Sequence, residues 1–180
     1  MLYLKKINIE DSEKEYEAIN KIPIEENGFE NKYNGVPKDE FINKNIQERI
    51  DISNEINVPE GRVPDTYYFL WNDNEIVGLF KIRHYLNDSL KNGAGHIGYC
   101  ILPEYRGMGY AKEGLKLAIE ICNSLIKEDE IYLSVHKDNP ASLKVQEDNG
   151  AYIVGETETE YLTRIKLNRW FIVIMQNKRY

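Results

Sequence analysis

The stretch Arg106-Gly107-Met108-Gly109-Tyr110-Ala111 is the part of this sequence whose residue types and spacing best suit chemistry. An apolar run ends at Pro103 just before it, and an amphipathic pattern begins near Gly109. Glycine accepts backbone angles that other residues avoid and lets main chain approach a ligand closely. The first amides of a helix lack internal partners and, with the helix dipole, form a site for an anion. Arg106 adds a guanidinium whose fork matches phosphate oxygens. The same residues also read as a plain connector from strand to helix, and the turn alone does not choose. Two other phosphate patterns do not compete. The Walker string G-x-x-x-x-G-K-[ST] is absent. Gly93-Ala94-Gly95-His96-Ile97-Gly98 spells G-x-G-x-x-G, but it follows a polar loop and enters a strand. That is the reverse of the context a dinucleotide site needs, so it reads as chance.

The elements around the turn follow from periodicity and breakers. Leu2 to Ile7 reads as a strand, and Ser12-Glu13-Lys14-Glu15 as a capping box opening a short helix that Pro23 closes. Residues 24–37 read as loop. A second helix begins near Asp39 with Ile42, Ile46 and Ile50 on one face, and stops before Pro59-Glu60-Gly61. Thr66 to Trp71 and Ile76 to Arg83 form strands about the turn Asn72-Asp73-Asn74-Glu75. Residues 86–95 are polar, and a strand runs from His96 to Leu102. A long helix spans Gly109 to about Lys127, carrying Ala111, Leu115, Ala118 and Cys122 at helical spacing. Ile131 to Val135 is a strand. Pro140 to Asp148 is a helix with Pro at its start and Asn149-Gly150 as its stop. Tyr152 to Val154 and Arg164 to Met175 are strands. The order predicts a mixed α/β (α+β) sheet with helices on its faces.

Composition narrows the function classes. The chain has 180 residues, 42% of them hydrophobic, and the expectation is a single domain over 1–180. No run approaches the ~20 apolar residues of a membrane helix, and no signal-peptide pattern opens the chain, which sets the expected location as cytoplasmic. The formal charge of −7 disfavours nucleic acid and anionic membranes as partners and leans toward cationic ligands. Cys100 and Cys122 belong to no Cys/His cluster, so no metal is expected and both read as buried thiols.

Arg106-x-x-Gly109-x-Ala111 resembles the R/Q-x-x-G-x-G/A signature of the GNAT (GCN5-related N-acetyltransferase) superfamily. Asn139-Pro140-Ala141-Ser142 through Asn149-Gly150-Ala151 resembles its second motif, and the block Arg83-His84 to Gly95-His96-Ile97-Gly98-Tyr99 is similar to a bacterial branch of predicted acetyltransferases. The likeness is best over about residues 66–155. It implies a GNAT fold, with a mostly antiparallel sheet of six or seven strands, about four flanking helices, and a cofactor cleft between two splayed parallel strands. By the same likeness, backbone groups of Ile101 and Leu102 would meet the pantetheine and acetyl group of acetyl-CoA. Amides from Arg106 through Gly107, Met108, Gly109 and Tyr110 to Ala111 would hold its pyrophosphate, and Asn139 and Ser142 would meet the other side of the arm.

The implied reaction is direct acetyl transfer from the thioester to the primary amine of a small molecule or peptide. An alkylammonium must first lose a proton, and a backbone amide of the Leu102 strand would stabilise the oxyanion. In histone-acetyltransferase-like members a Glu on this strand is the base; His96 is the candidate here. Its other reading is a histidine bonded within the sheet. Arg83 and His84 are candidates for the acceptor pocket, with a solvated strand end as the alternative, while His136 has no special claim. Many members carry a Tyr as general acid seven residues after the motif Asn. Gln146 occupies that position, and nothing in the sequence chooses among thirteen tyrosines for a substitute. A CoA-binding regulatory module, or transfer of a longer acyl group or to a hydroxyl, are the other readings. Oligomeric state is open between monomer and homodimer, with Trp170 to Met175 either a central strand or a contact.

Overall fold

The computed structural model describes residues 1–167. In chain order, β1 (Leu2–Lys6) leads to α1 (Ser12–Lys21) and a small hairpin, β2 (Glu25–Glu26) and β3 (Phe29–Glu30). Then α2 (Lys38–Glu40) continues through a π turn (Phe41–Asn45) into α3 (Ile46–Ser53). Strands β4 (Asp65–Asn72) and β5 (Glu75–Arg83) precede the short α4 (Asp88–Lys91) and β6 (Ile97–Ile101). A 3-10 turn (Pro103–Tyr105) leads to α5 (Tyr110–Leu125), then β7 (Glu130–His136), α6 (Pro140–Asp148), β8 (Tyr152–Glu156) and β9 (Glu160–Lys166).

Seven of these strands make two antiparallel sheets, ordered β1-β4-β5-β6 and β7-β9-β8. This is the mixed fold expected from the element order. The first sheet has a core on each face. Ile19, Phe41, Ile46, Phe69 and Leu79 pack beneath α1 and α3. Leu70, Phe80 and Ile82 pack against Leu115, Ala118 and Cys122 of α5, and Ile131, Leu133 and Ile165 of the second sheet join them. Helix α5 therefore ties the two sheets together by burying one apolar stripe against both.

β6 and β7 meet at one joint. His96 N–H donates to the Tyr132 carbonyl at 2.7 Å, and Tyr132 N–H donates to His96 Nδ1 at 2.9 Å. The joint requires Gly95, whose φ is +62°: a Cβ there would lie 2.0 Å from the Tyr132 oxygen. Gly95 thus has a packing role, and the surrounding string is no phosphate loop. Both strands run on from the joint in the same sense, because Phe29 covers Gly98 of β6 while its neighbour Gly28 lies against His136 of β7. Among the described residues, no ladder bond joins β6 to β7 beyond the joint.

Four local expectations are corrected. Ser12 is not the cap of α1 but its first residue, and Asp11 precedes it. Glu15 reaches back to the Asn8 N–H at 3.1 Å, and burial pushes its carboxyl up to about 8. The second helix does not turn Ile42, Ile46 and Ile50 inward together. Its π turn holds an extra residue and rotates the next helical turn by roughly 100°. Arg49 and Ile52 are buried with Ile46 instead, and Ile42 and Ile50 only flank them. The polar segment 86–95 contains α4, with the Asn87 side chain accepting from Leu90 N–H. Strand β9 starts at Glu160 rather than Arg164, after a turn in which Thr157 N–H donates to the Glu160 carbonyl. The segment Trp170 to Met175 lies outside the described residues.

Candidate functional site

The turn from β6 into α5 has the geometry of an anion site. Gly107 and Gly109 have φ of +76° and +83°, and open space surrounds both. Among the described residues, no backbone or side-chain group accepts from the amides of residues 107–112; the first helical bond is Glu113 N–H to the Gly109 carbonyl. These orphan donors sit at the positive end of a 16-residue helix. Met108 projects into solvent at 62% exposure. Tyr110 Oη accepts from Asn72 at 3.2 Å, and Ala111 packs on the α5 core. Arg106 is held on both sides. Its Nε donates to the Ile101 carbonyl at 3.0 Å, and its two terminal nitrogens donate to the Glu26 carboxylate at 3.1 and 2.6 Å.

The strand before the turn has one free edge. Leu102 N–H donates to the Val77 carbonyl at 3.0 Å, and Arg83 N–H to the His96 carbonyl at 2.8 Å. Antiparallel pairing alternates, so Leu102, Cys100 and Gly98 spend their backbone groups on β5. The backbone groups of Ile97, Tyr99 and Ile101 face the other way, toward the gap beside β7. The Leu102 amide is thus committed, and the donors available on this edge are Tyr99 and Ile101.

Tyr99 is the residue that sequence reasoning missed. From β6 its hydroxyl reaches α6 and lies 2.8 Å from Ser142 Oγ, with the Gln146 side chain alongside. Its ring stacks on Phe80 with centroids 5.3 Å apart. Burial raises its pKa, so the phenol is protonated at neutral pH. Alternation along β6 puts Tyr99 on one face with Ile97 and Ile101, but only the packing of α6 shows what that face meets. Asn139 caps α6, accepting from Ser142 N–H at 3.1 Å. Gln146 is buried, donating to the Ser134 carbonyl at 3.2 Å and accepting from Thr163 Oγ1 at 2.6 Å. It braces β7 and β9 from the position where the resemblance leads one to expect a tyrosine.

The proposed base has a different setting. His96 is fully buried, with Nδ1 accepting from Tyr132 and Nε2 facing Glu128 Oε2 at 3.2 Å. The proton therefore sits on Nε2, and burial lowers the ring pKa against the pull of Glu128. Arg83 and His84 separate, as neighbours in a strand do. Arg83 donates to the Gly95 carbonyl at 2.9 Å beneath the joint. His84 Nε2 meets Thr66 Oγ1 at 2.9 Å, and Thr66 meets Ser53 at 2.7 Å. Burial pushes the thiols of Cys100 and Cys122 each up to about 12, which removes both as nucleophiles at neutral pH. No group of His, Cys, Asp and Glu among the described residues is arranged to hold a metal ion, and no described helix is long and apolar enough to cross a membrane.

Comparison with known proteins agrees with this geometry. The family model described as Acetyltransferase (GNAT) domain matches residues 2–152. A search of curated sequences gives no match. Among solved structures, a ribosomal L7/L12 alpha-N-protein acetyltransferase, RimL, in complex with coenzyme A has a TM-score of 0.69 at 16% identity, over 93% of this chain and 95% of its own. Campylobacter jejuni N-acetyltransferase PseH in complex with acetyl coenzyme A gives 0.62 at 16%, over 93% and 100%. The spermidine/spermine N-acetyltransferase SpeG from Vibrio cholerae, in mutant form, gives 0.60 at 16%, over 96% and 99%. At such identity the likeness is one of fold.

Proposed function

Since the chain belongs to the GNAT acetyltransferase family, we propose that it transfers an acetyl group directly from acetyl-CoA to a primary amine of a small molecule or peptide. The observation that carries this reading is the run of unpartnered amides at residues 107–112, beside the unpaired edge of β6. A pyrophosphate supplies the negative charge those amides face, and a pantetheine arm supplies amide groups for a strand edge that has no partner. Arg106 joins the phosphates by exchanging Glu26 for them. Ser142 borders the arm from α6, and Asn139 acts by fixing the helix that carries it.

At the reacting centre, the Tyr99 and Ile101 N–H groups polarise the thioester carbonyl and stabilise the oxyanion. The amine attacks this carbon, the C–S bond breaks, and the departing sulfur takes a proton from the Tyr99 hydroxyl, which is reprotonated from solvent before the next turnover. Transfer is direct because Cys122 is buried and Cys100 is partly buried, with both thiols raised to about 12 and so protonated. His96 serves as the clasp that fixes the spacing of β6 and β7, and the amine sheds its proton to solvent. The names of the three structural relatives described above, each an N-acetyltransferase, support an amine acceptor.

Thermal-shift titration with acetyl-CoA tests the site. Wild type gives a saturable stabilisation, and Gly109→Glu, which sets a carboxylate against the phosphates, weakens apparent affinity by about 100-fold, or ~2.7 kcal/mol. An unchanged titration in Gly109→Glu sinks the cofactor assignment. Tight binding of acetyl-CoA without thioester consumption across an amine panel would leave only a CoA-binding module.

A further inference from the structure

The sheet face beneath α3 carries a charge cluster that neither the fold nor acetyl-CoA binding uses. Arg49, 3% exposed, is the residue the π turn rotates inward; its Cζ lies 4.2 Å over the Tyr67 ring. Lys81 approaches the same ring at 5.9 Å, and Arg83 follows two residues later on the same face of β5. The carboxylate bonded within this group is Asp65, which pairs with Arg49 and lies 3.5 Å from Lys81. Arg49 and Lys81 thus share one buried carboxylate, and Arg83 beside them has a backbone carbonyl, that of Gly95, as its hydrogen-bond partner. Farther out, Arg62 and Lys32 add positive charge and Glu30 adds negative.

Unpaired charge inside a protein is unfavourable unless something neutralises it. Arg49 Nε and Tyr33 Oη lie near one another, both buried without a well-formed hydrogen bond, and the neutral phenol adds no counter-charge to the guanidinium. Burial and, after it, the neighbouring Arg83 and Arg49 push the Lys81 ammonium down to about 7 even with Asp65 3.5 Å away. Lys81 still keeps 17% of its side chain exposed, so a ligand can reach it. Lys81 pairs across the ladder with Gly98 of β6, the strand whose other edge faces the gap beside β7. The face is that of Cys100 and Leu102, opposite Tyr99 and α5.

We infer that the acceptor amine carries an anionic group, a carboxylate or a phosphate, which docks on Lys81 and Arg83 with Arg49 behind them. This rests on the acetyl-transfer reading and runs against the lean toward cationic ligands that the overall charge of −7 suggests. The local surplus of positive charge, not the net charge, sets the preference.

The test is calorimetric titration of the protein loaded with coenzyme A, using four acetylated product analogues. N-acetylglycine and N-acetyl-O-phosphoethanolamine carry the anion; N-acetylethanolamine is neutral, and N-acetylputrescine is cationic. At least one anionic analogue binds about 10-fold or more tightly than the other two, and the tighter of the pair distinguishes carboxylate from phosphate. Lys81→Met and Arg83→Gln each remove most of that preference, Lys81→Arg keeps it, and coenzyme A affinity stays unchanged in all three. Equal binding of all four, no binding of either anion, tightest binding of N-acetylputrescine, or a preference surviving both substitutions overturns the inference. Failure of coenzyme A itself to bind overturns the acetyl-transfer reading instead. The anionic probes, titrated alone, still decide the charge site.

Discussion

The two ends of β6 solve opposite problems. At the joint, Gly95 and His96 commit their polar groups: amide to carbonyl, ring nitrogen to amide, ring proton toward Glu128. At the turn a few residues on, the amides of 107–112 are committed to nothing. The first end fixes the separation of two strands, and the second leaves donors without a protein acceptor. A glycine marks each end for a different reason. Gly95 has no room for a side chain, whereas Gly107 and Gly109 have room and need only their positive φ. Proximity to a glycine motif is therefore a poor guide to binding; the hydrogen-bond accounting of the backbone around it is a better one.

The contrast can be broken at several points. Gly95→Val sets its Cβ 2.0 Å from the Tyr132 oxygen and destabilises by more than about 4 kcal/mol, a large part of an ordinary stability margin. Gly107→Ala, by comparison, carries only the strain of a left-handed residue, about 1–2 kcal/mol. Urea denaturation of the two variants checks both, and equal losses would erase the distinction between the ends. Tyr99→Phe lowers kcat by about 100-fold in a thiol-release assay while coenzyme A affinity holds, the size expected for loss of a positioned acid. If kcat survives, Tyr99 is a wall of the cleft and not a proton donor.

The pH profile separates the two roles open to His96. In Lys81→Arg, whose guanidinium stays charged across this range, with the clasp closed and the amine losing its proton to solvent, kcat/KM climbs about tenfold per unit from pH 6 to 8, following the neutral fraction of an amine of pKa near ~10. A plateau beginning between pH 6 and 7 would restore a histidine base. The smallest effect belongs to Glu26→Gln. Freeing Arg106 from an exposed ion pair tightens acetyl-CoA binding by about 2- to 5-fold, the range of surface pairs. Weaker binding in this variant would mean that Glu26 orients Arg106 for the phosphates rather than competing with them.

What the sequence discloses is what neighbours in sequence decide. Helix α6 is read to the residue because its cap, its first-turn proline and its Asn149-Gly150 stop are all local. Strand pairs around Asp73 and the turn into α5 are legible for the same reason. Residues whose roles depend on distant partners are not. The contacts of Glu26 and Tyr99 come from the hairpin crossing to Arg106 and from α6 settling over β6, 80 and 43 residues apart in sequence. Arg49 is hidden by a single extra residue in a helical turn, which no apolar spacing announces. His96 is a candidate base through periodicity that is correct for a strand but silent about which edge another sheet joins.

The order of the second sheet has a consequence for synthesis. β9 lies between β7 and β8, so β7 waits for a strand made some thirty residues later before its own ladder can form. The four strands of the first sheet are complete by Ile101. As the chain leaves the ribosome, the half with the binding turn can take shape first, and the opposing wall closes late, by a long-range pairing of the slow kind. Until then the apolar stripe of α5 that belongs to Ile131, Leu133 and Ile165 stays uncovered. The nascent protein is therefore most exposed to misassociation in the interval between the emergence of α5 and that of β9.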